Sequence, residues 1–477
     1  MQKYAEIIIF ASSSVLRNLP ITTFMKTKRE NFGGRMAVIA AFAGSAIGLG
    51  NIWRFPYLVG QNGGAAFILI YIAFTLVLSL PIFLAESVIG RSSQANCRAA
   101  IGFLVPGRAG QLFGHLLVFT PLWLVSYYSV VGGWSVDYLV QACHLDFVRS
   151  APEQFTGSFE RFIAKPWLPM FFHLVFLGAT TAVVAFGVKS GIERFCKWSI
   201  PTLFVLIVFL VVYSLTLPGS LKGVEYLLKP DFSKVTAHTF IDALGQSFFS
   251  LSLGTGIIIT YSSYVKKNEN LMVAGLGTAI SDLSFALLAG FAIIPAVFSA
   301  GIEPAAGPTL IFDTLPFIFS SLAQHAPVLS AIAAILFFLA IFIAALTSSI
   351  SLLEVGVAYL TEEKGMKRGW ACALLFVLCG AFGTLCSLSF GPLSQIKILG
   401  LNLFDFADMT ASNVFMVIGS LLSVILAGWV MPRSVLFREL TNGGLLRRNA
   451  RLFPAVRFLL RYVAPFGILI LILSTVL

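Results

Sequence analysis

The sequence predicts an all-α polytopic membrane protein with about 11 transmembrane helices. Its 477 residues are 58% hydrophobic and only 11% charged, with a mean hydropathy of +0.91, far outside the range of soluble globular proteins. Apolar runs of about 20 residues recur along the chain, and each is long enough to cross roughly 30 Å of hydrocarbon as a helix. Polar and apolar residues do not alternate as they do in a transmembrane β-barrel, so a helix bundle is favoured.

The apolar runs are numbered as helices 1 to 11 in chain order. They cover residues 36–58, 64–89, 112–141, 167–187, 195–216, 239–265, 271–299, 328–360, 369–389, 407–431 and 455–476. With these spans, 24 of the 32 Lys and Arg residues fall on one side of the membrane. Because cytoplasmic loops carry the excess of positive charge, the N-terminus is predicted to be cytoplasmic. The net charge of +11 therefore indicates orientation rather than a nucleic-acid partner.

The chain is predicted to contain two sets of five helices and one further helix. Either Met1 or Met25 could be the start, so residues 1–24 are interpreted as a dispensable extension. The predicted organisation is a cytoplasmic N-terminal segment at 1–30, a first repeat with helices 1–5 at 31–220, a second repeat with helices 6–10 at 221–432, and a basic cytoplasmic loop with helix 11 at 433–477.

Helices 1 and 6 each contain a stretch that interrupts a regular helix. In helix 1, residues 42–56 (FAGSAIGLGNIWRFP) include Gly44, Gly48 and Gly50, and each glycine costs roughly 1 kcal/mol relative to alanine in a helix interior. Residues 250–256 (SLSLGTG) interrupt helix 6. In hydrocarbon a broken helix is tolerated only where its backbone lines a protein cavity or binds a ligand. Corresponding breaks in two halves predict an inverted repeat with a binding site between helices 1 and 6, near mid-membrane.

Several glycine and hydroxyl residues in the apolar spans also have purely structural explanations. Gly44 and Gly48 have the spacing of a helix-packing motif. Thr347 and Ser348 could bond to carbonyls one turn earlier in their own helix, and Tyr128 could belong to an interfacial aromatic belt. Five scattered His and six Cys residues show no metal-ligand spacing and no catalytic cluster, so the sequence does not predict an enzyme.

Eight short motifs are spread over most of the chain. They are 44–56 (GSAIGLGNIWRFP), 61–64 (QNGG), 81–91 (PIFLAESVIGR), 127–128 (YY), 191–195 (GIERF), 246–254 (QSFFSLSLG), 261–267 (YSSYVKK) and 344–349 (AALTSS). Together they resemble the neurotransmitter:sodium symporter family, in its bacterial amino-acid branch. The resemblance implies a 5+5 inverted repeat with helices 1 and 6 unwound at mid-membrane, two sodium sites and one amino-acid site.

The resemblance assigns oxygen ligands to both sodium ions, which suits a hard cation. The implied residues of the first site, which also uses the substrate carboxylate, are Ala46, Asn51, Ser250 and Asp282. Those of the second site are Gly44, Ile47, Ala344, Thr347 and Ser348. Many animal relatives place an amide at the position of Asp282 and use chloride nearby. Because a carboxylate at membrane depth is costly without a cation, Asp282 is interpreted as functional. Transport is therefore predicted to need sodium but not chloride.

The implied substrate is a neutral amino acid with a hydrophobic or aromatic side chain. The groups implied to meet its carboxylate are the backbone amides of Leu49 and Gly50 and the hydroxyl of Tyr128. Those implied to meet its ammonium group are carbonyls of Ala46, Phe249 and Ser250, with Ser252 nearby. Those implied around its side chain are Leu124, Phe249, Thr255, Ser348 and Leu352, with Ser45 nearby. The alternative function is a sodium- and amino-acid-binding sensor or channel of the same fold.

Charged residues are implied to gate this site. Arg54 and Asp408 resemble the outer pair of the family, whereas Arg29 and Glu362 resemble the inner pair. Glu86 is predicted to accept hydrogen bonds from the unwound backbone of helix 6. The predicted surroundings are the lipid bilayer of the bacterial inner (plasma) membrane, with no nucleic-acid partner and an unspecified oligomeric state.

Overall fold

The computed structural model describes residues 30–301 and 309–476, and these residues form a bundle of helices. Within this part of the chain, the β-structure amounts to one isolated bridge between Ile398 and Leu401. The predicted all-α class is therefore confirmed.

Nine continuous helices in the described ranges are long and apolar enough to cross a membrane. They are helix 2 (Ala65–Ser93), helix 3 (Arg108–Cys143), helix 4 (Trp167–Ala185), helix 5 (Val188–Leu215), helix 7 (Leu271–Ser299), helix 8 (Pro327–Glu362), helix 9 (Arg368–Leu388), helix 10 (Leu403–Val430) and helix 11 (Arg447–Ser474). Shorter helices connect them, among them Cys97–Leu104, Ser158–Ile163, Ser220–Leu228, Leu315–Ala323 and Arg433–Thr441.

Helices 1 and 6 are both broken. Helix 1 consists of Arg35–Ala46 and Gly50–Gln61, which are bent by 57° and count as a tenth span if they are taken together. Helix 6 consists of Ala237–Ser250 and Ile257–Ser263, and each segment alone is shorter than the bilayer core requires. The two predicted interruptions are confirmed, and the count of eleven spans stays a prediction.

Helix 11 begins earlier than the sequence predicts. The predicted apolar span begins at residue 455, directly after Pro454. In the structure the helix begins at Arg447 and continues through Pro454. Its first turns therefore carry basic residues that the prediction assigns to a loop.

The broken helices lie at the centre of the bundle. The first half of helix 1 contacts helices 5, 7 and 8, and the second half of helix 6 contacts helix 2. The contact with helix 2 is very close, since a Cβ atom added to Gly90 would lie 2.0 Å from the carbonyl oxygen of Ile259. Both breaks are thus held by their neighbours on several sides.

Gly254 fixes the break of helix 6 against helix 10. Its φ of +73° lies in the left-handed region, and an added Cβ would lie 1.9 Å from the carbonyl oxygen of Met416. We expect Gly254→Ala to lower the melting temperature of the purified protein, because about 1–3 kcal/mol of overpacking adds to the conformational cost.

Gly400→Ala is the matched control for this substitution. Gly400 has a φ of +82°, but nothing lies within 4 Å of its added Cβ. This variant therefore carries the cost of a side chain in the left-handed region but adds no steric overlap with a neighbouring helix. Equal shifts of the melting temperature in the two variants would contradict the close contact between helices 6 and 10.

Candidate functional site

A cavity lies between the two breaks and is lined by residues of helices 1, 3, 6, 8 and 10. All eleven residues predicted to contact the substrate line it, namely Ala46, Leu49, Gly50, Leu124, Tyr128, Phe249, Ser250, Ser252, Thr255, Ser348 and Leu352. Ser45, Gly48 and Met416 complete the lining. No charged side chain is among these described lining residues. The cavity therefore suits a ligand whose side chain is uncharged.

Polar bonds join the broken backbone of helix 1 to the facing helices. The N–H of Leu49 donates to the hydroxyl of Tyr128 at 3.3 Å. The hydroxyl of Ser252 donates to the carbonyl oxygen of Ser45 at 2.9 Å. Ser252 has a φ of +54°, which side chains rarely adopt, so the break of helix 6 holds local strain at the cavity wall.

Gly48 sits where three helices come close together. An added Cβ at this position would lie 2.5 Å from Oγ of Ser348 and 3.1 Å from the hydroxyl oxygen of Tyr128. Only glycine leaves room for these two side chains beside the broken backbone.

The carboxylate of Asp282 is fully buried and is surrounded by donors from three other helices. The hydroxyl of Ser250 donates to its two oxygens at 2.8 and 2.7 Å, and Nδ2 of Asn51 donates at 2.8 Å. The hydroxyl of Tyr71 donates to Oδ2 at 3.3 Å. Ala46 lines the cavity together with Ser250. The predicted members of the first sodium site thus lie together at one edge of the cavity.

The predicted members of the second sodium site meet on the other side of the helix 1 break. The hydroxyls of Thr347 and Ser348 both donate to the carbonyl oxygen of Ile47 at 3.3 Å. Thr347 also donates to the carbonyl oxygen of Ala344 at 2.9 Å, within its own helix. Gly44 lies between Cys196 and Thr347, since its added Cβ would lie 2.8 Å from Sγ of Cys196 and 3.7 Å from Cβ of Thr347. Thr347 therefore contacts a carbonyl of its own helix and a carbonyl of helix 1 at the same time.

Three residues near the breaks were not predicted. Tyr71 reaches Asp282 from helix 2, and Met416 reaches the cavity from helix 10. Gln246 donates through Nε2 to the carbonyl oxygen of Gly50 at 3.0 Å, an oxygen that also accepts a hydrogen bond from the N–H of Phe55. Gln246 belongs to the motif at 246–254, so a buried amide there was a usable signal. Tyr71 and Met416 are apolar-span residues without such a signal.

Glu86 supports the break of helix 6, as predicted. Its Oε1 accepts a hydrogen bond from the N–H of Gly254 at 2.8 Å, and the side chain is fully buried. This contact confirms the prediction that Glu86 binds the unwound backbone.

The two residues of the predicted outer gate contact different partners. The guanidinium carbon of Arg54 lies 5.3 Å from the ring centre of Phe249, at the edge of the cavity. Asp408 accepts a hydrogen bond from the hydroxyl of Tyr127 at 2.9 Å. Among the described residues, Arg54 and Asp408 do not form an ion pair with one another within 4.0 Å.

One member of the predicted inner gate, Arg29, lies outside the described residues. Its predicted partner, Glu362, accepts hydrogen bonds from the backbone N–H and the Nδ2 of Asn96 at 3.0 and 3.1 Å. Phe32 packs edge-on against Tyr261 and Tyr264.

Known proteins share both the sequence and the fold of this chain. The model of the Sodium:neurotransmitter symporter family matches residues 29–151 and 167–477. The chain belongs to this family. It is therefore a multi-pass membrane protein of a family of sodium-dependent symporters, and not a member of an enzyme family.

Individual relatives agree with this membership. The chain is 38% identical over 452 residues to an uncharacterized sodium-dependent transporter, YhdH, of Bacillus subtilis (strain 168), covering 94% of this chain and 98% of the relative. It is 27% identical over 451 residues to the sodium-dependent serotonin transporter of Drosophila melanogaster, covering 83% of this chain and 71% of the relative. A sodium-dependent transporter family thus spans bacterial and animal relatives.

A solved structure shares the fold. The crystal structure of MhsT in complex with L-phenylalanine has a TM-score of 0.84 and 41% sequence identity to this chain, and covers 94% of this chain and 99% of MhsT. This similarity confirms the polytopic helical fold with broken helices.

Proposed function

We propose that the protein is a sodium-coupled symporter that imports a neutral, hydrophobic or aromatic amino acid by alternating access, without a need for chloride. We place it in the bacterial inner membrane with a cytoplasmic N-terminus. The observation that carries the proposal is the fully buried carboxylate of Asp282, which lies among hydroxyl and amide groups beside an uncharged cavity. A buried carboxylate in a membrane favours a cation as its partner.

Sodium acts in this proposal as a co-transported substrate. We infer that the first ion binds oxygens of Ala46, Asn51, Ser250 and Asp282, and the second those of Gly44, Ile47, Ala344, Thr347 and Ser348. Without the first ion, the substrate carboxylate and Asp282 would place two negative charges in one buried site, which disfavours binding. Sodium binding would remove this penalty, so the two solutes bind together.

The composition of the cavity supports a hydrophobic amino acid. Leu124, Phe249, Leu352 and Met416 supply apolar contacts. The second half of helix 1 begins at Gly50, and the positive end of its backbone dipole suits the substrate carboxylate. MhsT was crystallised with L-phenylalanine, which is compatible with such a ligand.

The gates complete the proposed cycle. Arg54 stacks on Phe249 at the edge of the cavity, and closure of the outer side would bring Arg54 and Asp408 together. At the other end, Glu362 is held by Asn96, and Arg29 is its proposed partner.

Competition binding tests the substrate assignment. Labelled L-phenylalanine is displaced by each standard amino acid in turn, once in sodium and once in potassium. We expect neutral hydrophobic and aromatic amino acids to compete in sodium, with little binding in potassium. Equal binding in both salts, or displacement by charged amino acids only, would contradict the proposal.

Uptake is expected to be unchanged when gluconate replaces chloride at constant sodium concentration. The fixed carboxylate of Asp282 supplies the negative charge that a bound anion would otherwise provide. The measurement is the initial rate of uptake into proteoliposomes. Replacing sodium by potassium should abolish uptake, and this control shows that the assay detects the loss of a required ion. A large loss of rate in gluconate would show that chloride takes part.

A further inference from the structure

A second cavity lies between the end of helix 10 and residues 457 and 461 of helix 11. Its volume is about 300 Å³, and Arg433, Arg457 and Arg461 line it together with Trp429. The guanidinium carbon of Arg461 lies 4.4 Å from the ring centre of Trp429. The cavity therefore gathers three positive charges, one of which stacks on an aromatic ring.

The positive charges of this cavity lack acidic partners in the part of the chain that the structure describes. Within the described residues, none of the three arginines forms an ion pair within 4.0 Å. Nε of Arg461 is buried and has no hydrogen-bond partner in this part of the chain. The nearby acid, Glu439, is bound by Arg91 at 2.8 Å and Lys267 at 3.1 Å. An anion entering the cavity would supply the missing partner.

The backbone adds to the attraction for an anion. Pro432 and Arg433 line the cavity and begin the helix Arg433–Thr441, whose first turn has no acidic residue. The positive end of this helix dipole therefore lies at the cavity.

The surroundings of the cavity are those of a membrane interface. Trp429, Phe458 and Tyr462 are each more than half exposed, and the ring of Tyr462 contacts the other two rings. Trp and Tyr concentrate where hydrocarbon meets the headgroups of a bilayer. A phosphate bound by the arginines would sit at headgroup level, with acyl chains along the exposed apolar side chains.

We propose that this cavity binds the phosphate group of an anionic phospholipid. The guanidinium group of arginine can donate two parallel N–H hydrogen bonds to two oxygens of one phosphate. Basic pockets between transmembrane helices suit the headgroups of anionic lipids. The lipid belongs to the cytoplasmic leaflet, a detail that rests on the proposed orientation. Helix 10 (Leu403–Val430) also contributes Asp408 and Met416. A lipid bound at the end of this helix would therefore make the helix sensitive to the lipid composition of the membrane.

Native mass spectrometry of the purified full chain tests the site. The protein is incubated with micelles containing phosphatidylglycerol and phosphatidylcholine, and the retained lipids are counted without sodium or amino acid present. The outcome is therefore independent of transport. We expect preferential retention of phosphatidylglycerol, reduced about tenfold or more in the double variant Arg457→Gln/Arg461→Gln.

The matched control is Arg447→Gln/Arg448→Gln, which removes the same charge from exposed residues of helix 11 outside the cavity. It should retain the lipid. Equal losses in both double variants, or equal retention of phosphatidylcholine, would overturn the proposal.

A single variant and a competition with inorganic phosphate complete the test. Arg433→Gln, at an exposed position, should reduce retention about fivefold even if the double variant does not fold. Excess inorganic phosphate should not displace the lipid, because free phosphate lacks acyl contacts. Complete displacement by phosphate would assign the cavity to a soluble anion and overturn the lipid proposal.

Discussion

Replacing Asp282 by Asn is expected to lower sodium-dependent uptake by about a hundredfold or more, since removing one member of a buried charge pair costs about 3–5 kcal/mol. The amide keeps the size of the side chain and one oxygen but removes the negative charge. The protein would then offer the first sodium ion neutral oxygens only, and the ion would bind much more weakly and contribute less to substrate binding. The measurement is the initial uptake rate as a function of sodium concentration.

Asp242→Asn is the control for this variant. Asp242 lies in the first half of helix 6 and accepts a hydrogen bond from Asn62 at 3.0 Å, outside the cavity lining. The same chemical change there should leave sodium activation nearly unchanged. An Asp282→Asn protein with full sodium-dependent uptake would contradict the first sodium site.

Gly48→Ala is expected to weaken binding of labelled L-phenylalanine roughly 5- to 150-fold, because overpacking a tight contact costs about 1–3 kcal/mol. The new methyl group would overlap with Ser348 and crowd Tyr128, both of which line the cavity. These side chains would have to move away from the broken backbone. Equilibrium binding in sodium measures the effect.

Gly245→Ala makes the same change in the first half of helix 6, where nothing lies within 4 Å of the added Cβ. This variant should bind as the unchanged protein does. If the two alanine variants bind equally well, the break of helix 1 does not form the substrate site.

The sequence predicts the centre of the molecule better than its edges, for a physical reason. Glycines, hydroxyls and a carboxylate are costly inside a membrane, so their presence at 44–50, 250–256 and 282 is a local signal that needs no knowledge of packing. The structure brings these stretches together around one cavity.

Features that depend on contacts between distant apolar residues could not be predicted. Met416 and Tyr71 look like ordinary members of a transmembrane span, and only the packing of helices 10 and 2 brings them to the site. The preference of Arg54 for Phe249 is also set by the folded geometry. At helix 11 the predicted apolar span begins at residue 455, whereas the helix begins at Arg447, since its first turns are basic.

The most direct test of sodium-coupled symport is accumulation in proteoliposomes. The purified protein is reconstituted, an inward sodium gradient is imposed, and uptake of the labelled amino acid that competes best in the binding panel is followed. We expect the internal concentration to rise above the external one and to fall back when an ionophore dissipates the gradient. Equilibration without accumulation would indicate a channel, and sodium-dependent binding without uptake a sensor, and either result would contradict sodium-coupled symport.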